Sequence, residues 1–147
     1  GYEVSYAHQL AFKNVFYMDL SSVAVTLFKS KNKLFPENRI LSENFFDLSM
    51  SSYFDVIIEQ TFFCAQNPSV RVKYVEKTHN LLRKKGQLIG LLFGINFEKK
   101  GPPFGGSMME YQKLFEPKFD IKKLQICKNS IPERKGNEIW MELTKKS

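Results

Sequence analysis

Cysteine, histidine and tryptophan are scarce in this chain: two, two and one among 147 residues. Cys64 and Cys127 stand at neither disulfide-framework nor metal-ligand spacing, which excludes a disulfide-stapled scaffold and a zinc site. Both lie in segments that read as buried apolar structure, so a reduced, intracellular and cytoplasmic protein is expected. No apolar run approaches the roughly 18 residues that span a bilayer, and no membrane partner is expected. No signal peptide, internal repeat, low-complexity tract or inter-domain linker is visible within these residues, and one domain over residues 1–147 is expected.

What is present is a globular composition, 43% hydrophobic and 25% charged, with a formal charge of +7. A basic balance raises the question of nucleic acid. Lys29, Lys31, Lys33, Arg83, Lys84, Lys85, Lys99, Lys100, Lys145 and Lys146 are scattered over helix faces and turns. Neither an aromatic-basic RNA motif nor a helix-turn-helix pattern accompanies them. A solvated surface is the better reading, and a nucleic-acid partner is not expected.

Periodicity orders the chain. Val4, Ala7 and Ala11, with Tyr6 and Leu10, recur at helical spacing, so a half-buried helix opens the chain. Val15-Phe16-Tyr17-Met18 is a short β-prone run stopping at Asp19. Ser21 or Ser22 can cap a helix carrying Val23, Ala24, Leu27 and Phe28 on one face. Arg39 to Phe46 and Phe54 to Glu59 read as strands, and the β-branched Val56-Ile57-Ile58 suits a strand covered on both faces. Asn67-Pro68 starts an amphipathic helix with Val72, Val75 and Leu82, which Lys85-Gly86 ends in a left-handed cap. Gln87 to Gly94 is a further buried strand, followed by a loop from Ile95 to Gly106. Ser107 and Glu110 form a capping-box pattern for a helix stopped by Pro117. Leu124 and Ile126, then Ile139, Met141 and Leu143, alternate as an antiparallel pair. Strands alternating with helices before a terminal hairpin describe an α/β fold, an open and mostly parallel sheet with helices on both faces.

In such sheets ligands bind beyond the carboxyl ends of the strands, and three strand ends carry suitable chemistry. Asp19 can accept both hydroxyls of a ribose, although a helix N-cap aspartate reads equally well. In Ser42-Glu43-Asn44-Phe45-Phe46-Asp47, Asn44 and Phe45 suit a planar base, against an Asx turn with core phenylalanines. Glu59-Gln60-Thr61-Phe62-Phe63-Cys64 leaves the third strand. Cys64 has no histidine near it in sequence and reads as structural, while His8 and His79 read as surface or packing residues.

The run Phe54-Asp55-Val56-Ile57-Ile58-Glu59-Gln60-Thr61-Phe62-Phe63-Cys64-Ala65, then Asn67-Pro68, Arg71 and Leu81-Leu82-Arg83-Lys84-Lys85-Gly86, resembles the thiopurine and halide/thiol methyltransferases. Gly101-Pro102-Pro103-Phe104-Gly105-Gly106 and Ile131-Pro132, Arg134-Lys135-Gly136 and Glu138 extend the likeness over nearly the whole chain. The resemblance implies a seven-stranded, Rossmann-like class I methyltransferase sheet with an antiparallel last strand and with S-adenosyl-L-methionine as cofactor. It further implies that Asp19 and Leu20 sit at the ribose, Asn44 and Phe45 at the adenine, and Gln60 near the methionine end. Phe62, Phe63 and Phe104 would wall an acceptor pocket. Arg134, in the loop before the last strand, could steer an anionic acceptor, although an exposed turn arginine reads nearly as well. Gly1 aligns with the end of the family's glycine-rich turn, so the first strand is expected to be absent from this chain. Asn44 stands where the family usually has aspartate, and Glu59-Gln60 where relatives often have aspartate-tyrosine.

The expected activity is methyl transfer to a small thiol, thiopurine or halide by in-line displacement, with no dedicated catalytic residue and no metal. The alternatives are a family member that binds cofactor without activity and a nucleic-acid methyltransferase.

Overall fold

The computed structural model describes every residue from Gly1 to Ser147, and the chain divides into two compact units, Gly1–Ser49 and Met50–Ser147.

The first unit runs α1 (Tyr2–Gln9), β1 (Tyr17–Met18), α2 (Ser22–Lys31) and β2 (Ile40–Leu41). The two strands pair in parallel, Tyr17 opposite Ile40 and Met18 opposite Leu41, so their carboxyl ends share one edge. Ser21 is the cap of α2, its hydroxyl accepting from the Ala24 amide. The buried face of α2 is Val25 and Phe28 with Ala24 half-buried, so of the expected face Phe28 and Ala24 turn inward while Val23 and Leu27 point to solvent. Phe28 sets that phase: its ring stacks on Tyr17 with centroids 3.9 Å apart and meets Phe35 edge-on at 5.1 Å. Together with Val25 these rings make the small core of the unit. α1 buries no residue fully, and Tyr6 and Leu10 are exposed.

The expected strand from Arg39 to Phe46 shrinks to β2. Glu37–Arg39 is a 3-10 turn before it, and Phe45–Asp47 is another after it, started by Asn44. A strand needs a paired neighbour over its length, and β1 supplies two residues of pairing.

The second unit is a four-stranded sheet in the order β3-β4-β6-β5, formed by β3 (Phe54–Gln60), β4 (Leu82–Phe93), β5 (Phe119–Ile126) and β6 (Glu138–Lys145). β3 and β4 are parallel, and β6 is antiparallel to both β4 and β5, the terminal pair expected from the alternation. One face of this sheet is largely apolar. Leu88 and Leu92 of β4 are buried beside Ile139, Met141 and Leu143 of β6. α3 (Arg71–Leu81) and α4 (Met108–Phe115) lie against β4 and β5 and against each other. Tyr74, Tyr111, Phe115 and Phe119 fill the space between them, with Phe115 and Phe119 edge-on at 6.2 Å. Val56 and Ile58 are 45% and 51% exposed, so β3, at the end of the sheet, is not covered on both faces as its β-branched run suggested.

α3 ends at Leu81, five residues before the expected glycine cap. Leu82 pairs with Phe54, and the next paired position is Gln87 with Val56, so Arg83 to Gly86 form a bulge in β4. Within it Lys85, not Gly86, adopts the left-handed conformation, at φ 62°. Gly86 is needed for space instead: a Cβ there would lie 2.9 Å from the Arg83 carbonyl oxygen and 3.2 Å from that of Asp55. Left-handed backbone costs an L-residue roughly 1–2 kcal/mol, part of which glycine's flexibility in the unfolded chain offsets. Adjacent substitutions should therefore act with opposite signs. Lys85→Gly is expected to raise stability by up to about 1 kcal/mol, and Gly86→Ala to lower it, both measured as shifts in the urea midpoint. A destabilised Lys85→Gly protein would show that the bulge does not strain Lys85.

Candidate functional site

In the first unit the candidate residues gather at the shared carboxyl edge of β1 and β2. The Asp19 amide donates to the Leu41 carbonyl at 3.1 Å, which ties the residue after β1 to the end of β2. Its carboxylate accepts from the Ser21 amide at 2.9 Å and from the Tyr17 hydroxyl at 3.2 Å. Burial, reinforced by the neighbouring Asp19 charge and hydrogen bond, pushes the Tyr17 phenol up to about 12, so it stays a donor. Asp19 is thus both a turn acceptor and a half-buried anion with unused lone pairs. Asn44 opens the turn beyond β2, its side-chain oxygen accepting from the Phe46 amide at 3.1 Å. Phe45 is buried beneath it, edge-on to Phe46 at 5.4 Å, so the Asx turn with a core phenylalanine is what the backbone adopts. Leu20 is exposed. Gly1 caps α1 with no side chain of its own, and a Cβ there would sit 2.8 Å from the Phe28 ring and 3.0 Å from Tyr17.

In the second unit the carboxyl end of β3 is organised by a residue not expected to matter. Glu59 is 3% exposed, its carboxylate accepting from the Phe63 amide at 2.8 Å and from the Tyr74 hydroxyl at 2.7 Å. Burial raises its pKa above the usual carboxylate range despite those two hydrogen bonds. Across the ladder stands Gly90, where a Cβ would meet the Glu59 carbonyl oxygen at 2.1 Å; only glycine lets β4 pass so close. The turn after Glu59 places Gln60 half-buried at the end of β3, puts Thr61 at φ 66°, and leads into the 3-10 turn Phe63–Ala65.

The expected acceptor wall divides. Phe63 is 1% exposed, its ring enclosed by Tyr74, Tyr111 and Phe115 at 5.1, 5.8 and 6.0 Å, so it is a core residue. Phe62 and Phe104 keep part of their surface open. Phe104 is brought to this edge by its amide, which donates to the Cys64 carbonyl at 2.6 Å. Arg134 lies over the Phe93 ring at 5.4 Å and pairs with Glu138 at 3.2 Å. The Cys64 thiol is pushed up to about 11 by burial and by the Glu59 charge, and it bonds the Thr61 carbonyl, which makes it a packing residue. His8 packs edge-on to Phe35 at 5.0 Å, and His79 meets the Lys146 carbonyl, so each histidine has a structural contact. Two shallow depressions, on the outer face of α2 and between α4 and β5, contain none of these residues.

The sequence profile of the thiopurine S-methyltransferase family matches residues 5–145. The chain belongs to that family. The Arabidopsis thaliana protein named Probable thiol methyltransferase 2 is 34% identical over 131 residues, covering 86% of this chain and 58% of the relative. Thiocyanate methyltransferase 1 of the same plant is 30% identical over 100 residues, 67% of this chain and 44% of the relative. The chain therefore spans about half the length of these relatives. Among solved structures it is similar to 1,6-didemethyltoxoflavin-N1-methyltransferase from Burkholderia thailandensis, at TM-score 0.71 and 18% identity over 91% of this chain and 62% of the other. The N-methyltransferase NodS from Bradyrhizobium japonicum follows at TM-score 0.68 and 9% identity, over 88% and 65%. Both were solved with S-adenosylhomocysteine, and at these identities they show the fold: the mixed sheet of class I methyltransferases, as expected for this family.

Glu59 and Arg71 are the residues that sequence reasoning missed as organisers of the site. A lone acid ending an apolar run was the available signal for Glu59, and an arginine in the first turn of a helix, where cations are disfavoured, for Arg71.

Glu59 makes a pH prediction. Its folded pKa lies above the unfolded value, so folding is favoured fully in acid and loses that contribution as pH rises from the ordinary carboxylate range through the raised folded value. Glu59→Gln stays neutral and keeps an acceptor for the Phe63 amide. Its stability, followed by urea midpoints, should fall less between pH 4 and pH 8 than that of the unmodified protein. Parallel curves would mean that the buried carboxyl ionises without cost.

Proposed function

We propose that this chain is part of an S-adenosylmethionine-dependent methyltransferase that moves a methyl group to a small, polarisable nucleophile, a thiol or a thiocyanate-like anion. The family match over residues 5–145 carries the reading, and the 34% identity to a protein named as a probable thiol methyltransferase supports the acceptor class.

The residues of the first unit fit the nucleoside half of such a cofactor. Asp19 is a half-buried carboxylate whose present partners leave lone pairs for two more donors, and the Asn44–Phe45 turn joins it at the same edge of the paired strands. Gly1 lies where a Cβ would collide with Tyr17 and Phe28, so the start of α1 sits close against that ring stack. Asp19 with Leu20 would hold the ribose and Asn44 with Phe45 the adenine. Gln60 would hold the methionine end, and Phe62, Phe104 and Arg134 the acceptor, with Phe63 backing them from the core.

When bound, S-adenosylmethionine supplies an electrophilic methyl group on a sulfonium centre. Asp19, Asn44 and Gln60 would hold it while the acceptor's electron pair takes that methyl and neutral S-adenosylhomocysteine departs. For an anionic acceptor the positive and negative charges cancel along this path, so water, which stabilises the separated charges, slows the step. The half-buried Phe62 and Phe104 rings exclude that water, and the Arg134 guanidinium attracts the anion without having to exchange a proton. A thiolate or thiocyanate is nucleophilic already, so orientation and dryness are the main requirements on the protein. No base is assigned. Cys64 and Glu59, the titratable groups nearest the β3 turn, are both buried and hydrogen-bonded to backbone.

Incubation of the purified protein with S-adenosylmethionine and hydrosulfide, thiocyanate or iodide should yield S-adenosylhomocysteine and the methylated acceptor, detected by mass spectrometry. Asp19→Asn keeps an acceptor for the Ser21 amide but halves the capacity to accept ribose hydroxyls. It should weaken S-adenosylhomocysteine binding by about tenfold, close to one charged hydrogen bond, as read by calorimetry. Tight cofactor binding with no product from any acceptor would favour a binding protein instead, and salt-sensitive retention of oligonucleotides together with their methylation would favour a nucleic-acid enzyme.

A further inference from the structure

Arg71 is a buried cation for which the chemistry above has no use. It is the first residue of α3, 4% exposed, and it reaches three separate parts of the second unit. Nη1 donates to Glu110 Oε1 in the first turn of α4 at 2.6 Å. Nη2 donates to the Gly105 carbonyl at 2.8 Å, in the segment that follows Phe104. The guanidinium carbon lies 5.0 Å from the centre of the Phe63 ring and 5.6 Å from that of Tyr111. Nε has no hydrogen-bond partner, which is unfavourable for a buried donor. Brace residues chosen for stability alone do not usually retain such a donor, and replacing buried ion pairs by apolar groups is often neutral or better. What the arrangement does secure is position.

The segment it holds is otherwise tied by few bonds. The Phe104 amide meets the Cys64 carbonyl and the Gly106 amide meets the Phe93 carbonyl at 3.2 Å, while Gly105 is threaded so tightly that a Cβ would fall 1.6 Å from the Ile95 carbonyl oxygen. Phe104 therefore stands between the turn after β3 and a residue clamped by Arg71. We propose that Arg71 is a positioning residue for the acceptor pocket. By fixing Gly105 to α4 and to the Phe63 ring it sets how far Phe104 can withdraw, and hence the size of acceptor admitted. This deepens the reading of the second unit as the acceptor side and rests on it.

Lysine cannot reach both Glu110 and Gly105 with a planar fork, so Arg71→Lys keeps the charge and loses the clamp. With cofactor affinity maintained, this variant should raise KM for hydrosulfide and shift the ratio of kcat/KM for benzenethiol over hydrosulfide by about tenfold towards the larger thiol. Glu110→Gln, at a half-exposed position, should move the ratio in the same direction by a smaller factor and serves if Arg71→Lys does not fold. Trypsin supplies a readout that needs no activity: cleavage after Lys99 or Lys100, both exposed in the same loop, should quicken in both variants. An unchanged rate of cleavage in folded variants overturns the clamp. Faster cleavage with an unchanged thiol ratio leaves Arg71 a brace and overturns its role in acceptor size. If the unmodified protein methylates no acceptor, the proposed function falls and the cleavage rates still decide the clamp.

Discussion

A carboxylate closed off from water holds the working end of the second unit together. Glu59 accepts a backbone amide from the turn that follows it and a phenol from α3, so a strand, a turn and a helix converge on two oxygen atoms. An ionised carboxylate in such a place must be matched by donors or lose its charge, and its pKa is raised, so burial outweighs the two bonds. Tyr74 is drawn into the same balance: its phenol is pushed well above its ordinary range by burial and by Glu59, which keeps it a donor. Gly90 is the counterpart on the neighbouring strand, since any side chain there would strike the Glu59 backbone. With these groups set, Phe63 goes into the core, and Phe62 and Gln60 are left at the strand end.

The first unit solves a smaller version of the same problem with less burial. Asp19 follows a two-residue strand, and the parallel pairing to Ile40 and Leu41 fixes the backbone from which its carboxylate projects. The stacked Tyr17 and Phe28 rings supply the apolar support, and the Tyr17 hydroxyl reaches up to the acid from that stack. One tyrosine thus joins the core and the strand-end acid through its two ends, an apolar ring and a polar tip.

Much of this order is legible in the chain because it depends on local signals. The alternation of Leu124 and Ile126 with Ile139, Met141 and Leu143 predicts the antiparallel pair, and Ser21, Asn67 and Ser107 cap the helical turns that begin just beyond them. What was misread depends on distant partners. Leu82 continues the apolar period of α3 but pairs with Phe54 instead, so tertiary pairing overrides helical propensity and moves the helix end away from Gly86. Val56 and Ile58 look like interior residues by type, yet β3 has a neighbour on one side. The strand ends carrying Asp19, Asn44 and Gln60 could be named from sequence, whereas the arrangement around them could not. Glu59 meets a tyrosine 15 residues on, and Arg71 meets a glutamate 39 residues on, separations that no periodicity reports.

The two outer strands of the four-stranded sheet are not alike. β5 is interrupted between Ile121 and Lys123, with exposed Lys122 at the irregularity, and a kinked, lysine-bearing margin is a poor template for another strand. β3 runs in unbroken register with β4 from Val56 to Gln60 and shows apolar Val56 and Ile58 to solvent. A regular ladder fixes the direction in which a chain leaves it, so Gln60 and the turn after it are aimed by the β4 pairing, while the irregular β5 margin lies at the opposite end of the sheet from them.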